Sequence, residues 1–216
     1  ADMGAEASPA VPFLMEMLDA ADPAAPAEGE GGDFALAAHV IVQISPEAAA
    51  QAMPRLTAAL EQGERSTRLE VIRSLGDTAS PVPPSAIDAL AMALSEDPDP
   101  YLRAEAARML GQLGPEAAAA VPALTAALDD RGALMGSDVS TVGEAVAAAL
   151  GAIGDPGVVP ALVTDLGQGG AKARAAIDAL AAMGPSAAPA IPALIEALDG
   201  EHWASASVAL EAITGQ

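Results

Sequence analysis

The sequence predicts an all-α fold: a right-handed α-solenoid, or superhelix, of about six antiparallel helix pairs. Three observations predict it. The stretch Val121-Pro122-Ala123-Leu124-Thr125-Ala126-Ala127-Leu128-Asp129 returns as Ile191-Pro192-Ala193-Leu194-Ile195-Glu196-Ala197-Leu198-Asp199, with weaker copies starting at Val11, Met53, Ile87 and Val159. With Pro12, Pro54, Asp88, Pro122, Pro160 and Pro192 as register marks, the spacings are 42, 34, 34, 38 and 32 residues, the period of a two-helix repeat. Hydrophobic residues make up 52% of the chain and aromatics only 2%. The apolar mass is therefore mostly Ala, the best helix former, with Leu, Val and Ile. Each pair can bury its apolar side only against its neighbours, so the repeats predict one continuous array. It occupies residues 1–216 in units of about 3–45, 46–79, 80–114, 115–154, 155–184 and 185–216.

Taken in order, unit one opens with a helix carrying Val11, Leu14 and Leu18 on one face, the spacing of a buried stripe. Phe13, Met15 and Met17 make it apolar nearly all round. Residues 19–33, rich in Ala, Pro, Gly and acid, read as a mobile loop before a second helix over 34–44. Unit two pairs Leu56 and Leu60 with Leu69, Ile72 and Leu75, stopped by Gly76. Unit three opens with Ser80-Pro81-Val82-Pro83-Pro84, which cannot be helix interior. Its helices hold Ile87, Leu90 and Leu94, then Leu102, Met109, Leu110 and Leu113, and Gly114-Pro115 closes it. Gly takes the left-handed position after a helix, and Pro starts the next one. Unit four has Leu124 and Leu128, an extended turn over 129–141, and a helix through Leu150 and Ile153. Unit five has Leu162, Leu166, Ile177, Leu180 and Met183; unit six has Leu194, Leu198, Val208, Leu210 and Ile213.

The Val-Pro-x-Leu-x-x-x-Leu helices and the Leu-Gly-x-Leu-Gly ending over 110–114, with its kin over 150–154, resemble the HEAT-repeat family. Within it they are most similar to the short bacterial HEAT-like or phycobilisome-lyase-type repeats. The resemblance covers nearly the whole chain and implies the fold far more than an activity. It also implies a ladder of Asp after the first helix and Arg early in the second. Asp129 and Asp199 match the Asp, and Arg68 and Arg103 match the Arg. The other positions seven residues before the closing aliphatic residue hold Phe34, Gly143, Ala173 and Trp203. The ladder is thus expected to be broken, leaving repeat order to apolar packing. In the family the first-helix Pro bends its helix. Pro122 does so if that helix starts at Pro115, and merely opens it if it starts at Val121.

The net charge is −21, from 30 acidic against 9 basic residues. Nucleic acid is a poor partner, because phosphate binding needs a basic stripe. Anionic membrane is disfavoured for the same reason, and no apolar run reaches membrane-spanning length. There are no cysteines, which removes disulfides and thiolate-bound metal. The start at Ala1 fits cleavage after a small-residue signal site, as it also fits excision from a longer chain, and the first of these favours an extracellular or periplasmic location over a cytoplasmic one.

No catalytic, cofactor or metal signature appears, and no cofactor is expected. The histidines, His39 and His202, sit in the first and last units and are too far apart to share a metal. Three acidic loops could offer oxygen ligands to calcium: Glu28, Glu30 and Asp33; Glu96, Asp97 and Asp99; and Asp129, Asp130 and Asp138. None follows a calcium-loop pattern, so solvated loops are the simpler reading.

Function is therefore read from surfaces. In such arrays the second helices line the concave face. Offsets of −5, −2 and +2 from each closing residue give an exposed stripe: Leu36, His39 and Gln43; Glu70, Arg73 and Asp77; Glu105, Arg108 and Gln112; Ala145, Ala148 and Ala152; Ala175, Asp178 and Ala182; Ser205, Val208 and Ala212. It is charged in the middle and small and apolar toward the C-terminus, and an apolar patch marks a contact surface; Ala as plain helix filler is the blander alternative. Neither end carries the polar cap that solenoids need, so either the sequence is cut from a longer array or its ends meet other subunits. The expectation is a non-catalytic scaffold that binds protein through its concave face or its ends. Alternatives are an exported subunit that assembles end to end, or an accessory of a bilin-lyase-like enzyme.

Overall fold

The computed structural model describes residues 8–21, 30–134 and 141–215. Among them the fold is all-α and no strand forms; the only β-type pairing is an isolated antiparallel bridge between Ala133 and Thr141. The helices are α1 (Val11–Ala20), α2 (Glu30–Ile44), α3 (Pro46–Gln62), α4 (Arg65–Gly76), α5 (Pro84–Glu96), α6 (Pro100–Leu113), α7 (Val121–Ala126), α8 (Val142–Ile153), α9 (Val159–Leu166), α10 (Gly170–Met183), α11 (Ile191–Ala197) and α12 (Trp203–Thr214). Odd numbers are the first helices of the repeats and even numbers the second. Contacts gather into two compact units, Ala1–Ala93 and Leu94–Gln216.

In the first unit, α2 packs against α1, α3 and α4. Phe34, Ala37, Ala38, Ile41 and Val42 form the inner face of α2 and are buried. The helix begins at Glu30, earlier than the start at Phe34 read from the glycine-rich sequence. Packing of that apolar face outweighs the roughly 1 kcal/mol that each added Gly costs a helix. Of the 19–33 loop, residues 22–29 lie outside the described residues. The Ser45 hydroxyl accepts the Ala48 N–H at 3.1 Å and caps α3. Pro54 lies inside α3, where it cannot donate to the helix ladder. The Asp19 carboxylate joins α1 to α3 through Arg55, whose Nη2 donates to Oδ2 at 2.7 Å.

In the second unit the even helices stand side by side, α6 on α8, α8 on α10 and α10 on α12. Small residues set their spacing. A Cβ on Gly111 would lie 3.0 Å from the Ala149 Cα, and one on Gly151 would lie 2.5 Å from the Ala182 Cβ. Leu102, Leu110, Leu124, Leu150, Leu162, Ile177, Leu180 and Leu194 fill the layer between odd and even helices, each 1% exposed or less. The alternatives for Pro122 resolve into a composite. Residues Gly114–Ala120 form a 3₁₀ helix that runs straight into α7, so Pro122 sits in the first turn of the α-helix. The Gly184–Ala190 segment leads into α11 in the same way. Gly114 and Gly184, at φ 57° and 55°, turn the chain between a second helix and the next 3₁₀ segment, a conformation that only Gly adopts without strain. The helical stretch Gly170–Ala197 has the length and apolarity of a membrane-crossing segment, which the sequence reading did not anticipate. Gly184 divides it into α10 and the 3₁₀ segment that continues as α11, so it is not one rod.

Candidate functional site

The ladder of charged residues survives at one rung in the second unit. Arg103 Nε and Nη2 donate to the two carboxylate oxygens of Asp130 at 2.7 and 3.1 Å, and Nη1 donates to the Asp97 carbonyl at 2.9 Å. The acceptor is Asp130, not the expected Asp129, which is exposed. The turn explains the shift: Asp130 Oδ1 also accepts the Gly132 N–H at 2.8 Å, which locks its carboxylate toward α6. The bond to Arg103 holds the Asp130 carboxyl below the usual carboxylate range, and the same bond raises the guanidinium further. Asp99 caps α6 by accepting the Tyr101 N–H at 2.8 Å, and Asp97 accepts the Asp99 N–H at 2.9 Å. This acidic loop thus surrounds an arginine side chain, and no group of acidic or His residues able to hold a metal occurs among the described residues. Glu28 and Asp138, two of the calcium candidates, lie outside those residues.

The rows predicted on the second helices divide by offset. The +2 row is exposed at Gln43, Asp77, Gln112, Ala152, Ala182 and Ala212. The −2 row is exposed at Arg108, Ala148 and Val208 and half-buried at His39, Arg73 and Asp178. The −5 row departs from the expectation: Glu70 is exposed, but Glu105 and Ala145 are each only 7% exposed. That row lies on the flank of the face, where α6 and α8 close on each other, rather than at its crest. Glu105 is turned along its own helix, and both its oxygens accept from Arg108 at 2.9 Å. Arg73 pairs with Glu70 at 3.3 Å, and Arg174 with Asp178 at 3.1 Å. The charged part of the stripe is therefore largely neutralised within single helices, and exposed pairs of this kind contribute about 0.3–0.5 kcal/mol each.

Beside this face, a cleft of about 210 Å³ opens between the turn after α7 and the start of α10. Asp129, Arg131, Thr141, Glu144, Arg174 and Asp178 supply its polar lining. Burial pushes the Asp178 carboxyl up, against the downward pull of Arg174. The lining mixes both signs of charge.

The last helix pair carries several large exposed apolar side chains, of which the predicted stripe named Val208 alone. Trp203 is 62% exposed, Val208 61%, Ile195 53% and Leu198 37%. The repeat register gives Leu198 and Trp203 buried internal counterparts. Leu128, the counterpart of Leu198, is 3% exposed, and Ala173, the counterpart of Trp203, is 1%. Leu198 and Trp203, the only tryptophan of the chain, are thus more exposed than those counterparts. Around them Glu196, Asp199, Glu201 and Glu211 are exposed. Glu201 Oε1 accepts the Gly170 N–H at 3.1 Å and lies 3.3 Å from His202 Nε2, which ties the turn before α12 to the start of α10. The signal in the sequence was Trp203 itself, a large apolar residue at a position that holds Arg, Gly or Ala in the three preceding repeats.

The sequence matches the family model for HEAT repeats over residues 53–133 and 87–169, and that for the PBS lyase HEAT-like repeat over residues 172–200. Among solved structures it is similar to a chain from the complex of CpcE and CpcF of phycocyanin lyase from Nostoc sp. PCC7120, with 28% identity and a TM-score of 0.51. The match covers 76% of this chain and 65% of that one, so the chain spans less than two thirds of its neighbour's length. No curated protein matches the sequence.

Proposed function

Because the chain belongs to the HEAT-repeat family, we propose that it is a non-catalytic scaffold that binds another protein. The observation that carries this reading is the set of large apolar side chains exposed on the last helix pair, Trp203, Val208, Ile195 and Leu198. A contiguous apolar surface of this kind marks a contact site, and Trp is among the residues that dominate binding energy at interfaces. The likeness to a chain solved in a two-protein complex supports the same reading. The test is isolation of the chain, after chemical crosslinking, from the cells that make it. The expected result is a stoichiometric protein partner crosslinked to it; a chain recovered only alone overturns the proposal.

The same likeness favours a second reading, an accessory to a bilin-lyase-like enzyme. Adding a linear tetrapyrrole to the purified protein would then change the pigment's absorption spectrum. An unchanged spectrum disposes of direct pigment binding.

A further inference from the structure

We propose that the cleft between the turn after α7 and the start of α10 receives an arginine side chain from a protein partner, in a repeat that lacks the arginine of the repeat before it. This rests on the scaffold reading and names one contact and its chemistry.

The first support is the comparison of successive repeats. Arg103 stands seven residues before the closing Leu110, and its side chain bridges two turns, bonded to the Asp130 carboxylate and the Asp97 carbonyl. One repeat later the same register place, seven residues before Leu150, is Gly143. The chain cannot restore a side chain there, because a Cβ would lie 2.4 Å from the Leu128 carbonyl oxygen. The cleft opens along Gly143, and the small side chains of Ala147, Ala171 and Ala175 line it further. At about 210 Å³ it is smaller than the roughly 300–1,000 Å³ of sites that enclose a whole small molecule. One long side chain fits it better than a cofactor does.

The second support is charge. The lining sets Asp129, Asp130, Glu144 and Asp178 against Arg131 and Arg174. Arg174 is held by Asp178 on its own helix, and Arg131 is exposed. Burial, helped by the charge of Glu144, pushes the Asp178 carboxyl up despite Arg174. A further cation in the cleft would offset both effects. A guanidinium suits the place better than an ammonium, because its planar fork bonds two carboxylate oxygens at once, as Arg103 does on Asp130.

The chain itself is a poor source of that group. Residues 135–140, which lie between two lining residues in the sequence, contain neither Lys nor Arg. A second copy would bring a net charge of −21. Every basic residue it could offer, Arg131 excepted, already has a partner. A separate protein bearing an exposed arginine is the occupant that the charge favours.

The probes are three blocked tripeptides, Ala-Arg-Ala, Ala-Lys-Ala and Ala-Glu-Ala. Each is titrated into the isotope-labelled full chain and followed by amide chemical shifts in nuclear magnetic resonance. The Arg peptide is expected to shift the amides of Gly143, Ala147, Arg174 and Ala175. The Lys peptide is expected to bind several-fold more weakly, and the Glu peptide to leave those amides unchanged. D178N is expected to weaken the Arg peptide by about tenfold. E16Q, which removes the same charge from the exposed side of α1, is expected to change little. A175L fills the cleft without altering charge and is expected to abolish binding, with helix content checked by circular dichroism. Equal losses in D178N and E16Q would mean diffuse attraction to an acidic protein and overturn the proposal. Binding that survives A175L, a Lys peptide as tight as the Arg peptide, a preference for the Glu peptide, or unmoved cleft amides overturns it too. If the natural partner binds the A175L/D178N variant as tightly as the parent, the scaffold reading stands and this inference falls. If the chain has no protein partner, the scaffold reading falls and takes this inference with it.

Discussion

Arg103 bridges two repeats with one side chain, gripping Asp130 with two bonds and the Asp97 carbonyl with a third. The pair is mostly shielded, with side-chain exposures of 18% and 22%, so its worth exceeds that of the exposed pairs on the second helices. Replacing Asp130 with Asn should lower stability by about 2 kcal/mol at neutral pH, the scale of a hydrogen bond to a charged group. The bond to Arg103 depresses the folded-state pKa of Asp130. Its stabilisation is therefore complete above the unfolded carboxylate pKa and fades as pH falls through the depressed folded value. Urea unfolding at neutral pH should separate the parent from Asp130→Asn clearly, and the gap should narrow as pH drops below about 4. A gap that stays constant down to pH ~2 would mean that the carboxylate charge contributes nothing. The sequence reading placed Arg103 in this role but named Asp129 as its partner, where the acceptor is Asp130. The choice is made by the Gly132 N–H, a backbone contact that no side-chain pattern announces.

At the scale of the element, the odd helices advertise themselves and the even helices decide the spacing. Leu at every fourth residue made the odd helices legible. The 3₁₀ segments before α7 and α11 were not, because a run such as Pro115-Glu116-Ala117-Ala118-Ala119-Ala120 has equally good helix formers in either geometry. The start of α2 was misplaced because Gly29, Gly31 and Gly32 read as a turn, while the burial of Phe34 and Ile41 makes helix the better solution. The −5 row was misjudged at Glu105 and Ala145 because helix periodicity fixes a face but not how closely the neighbouring helix presses on its flank. Gly151 tests that closeness. Inside an exposed helix, Gly→Ala gains roughly 1 kcal/mol. Here the new methyl would meet the Ala182 backbone carbon at 2.6 Å as well as its Cβ. Gly151→Ala should therefore destabilise the protein by about 1–3 kcal/mol, the usual cost of overpacking. A variant that unfolds at a higher denaturant concentration than the parent would show that α8 and α10 are not held so near.

At the scale of the whole molecule the governing quantity is charge. Thirty acidic residues face nine basic ones, and most of the basic ones are spent in ion pairs, so the remaining carboxylates repel one another. Folding brings them closer than the unfolded chain does, and self-repulsion of this kind destabilises the compact state. Salt shortens its range: the Debye length falls from about 30 Å at 0.01 M to about 10 Å at 0.1 M. Two opposed effects follow, since the same screening weakens attractive pairs such as Arg174–Asp178. Those pairs are exposed and short in range, while the unpaired carboxylates are many and interact over the longer distances that salt screens first. Repulsion should therefore dominate the response. The urea midpoint is expected to rise as NaCl goes from about 0.01 to 0.1 M, with the slope of the transition unchanged because the surface exposed on unfolding is the same. A midpoint that falls with salt would show that the ion pairs outweigh the repulsion. The excess acid would then cost the fold less than its ion pairs contribute.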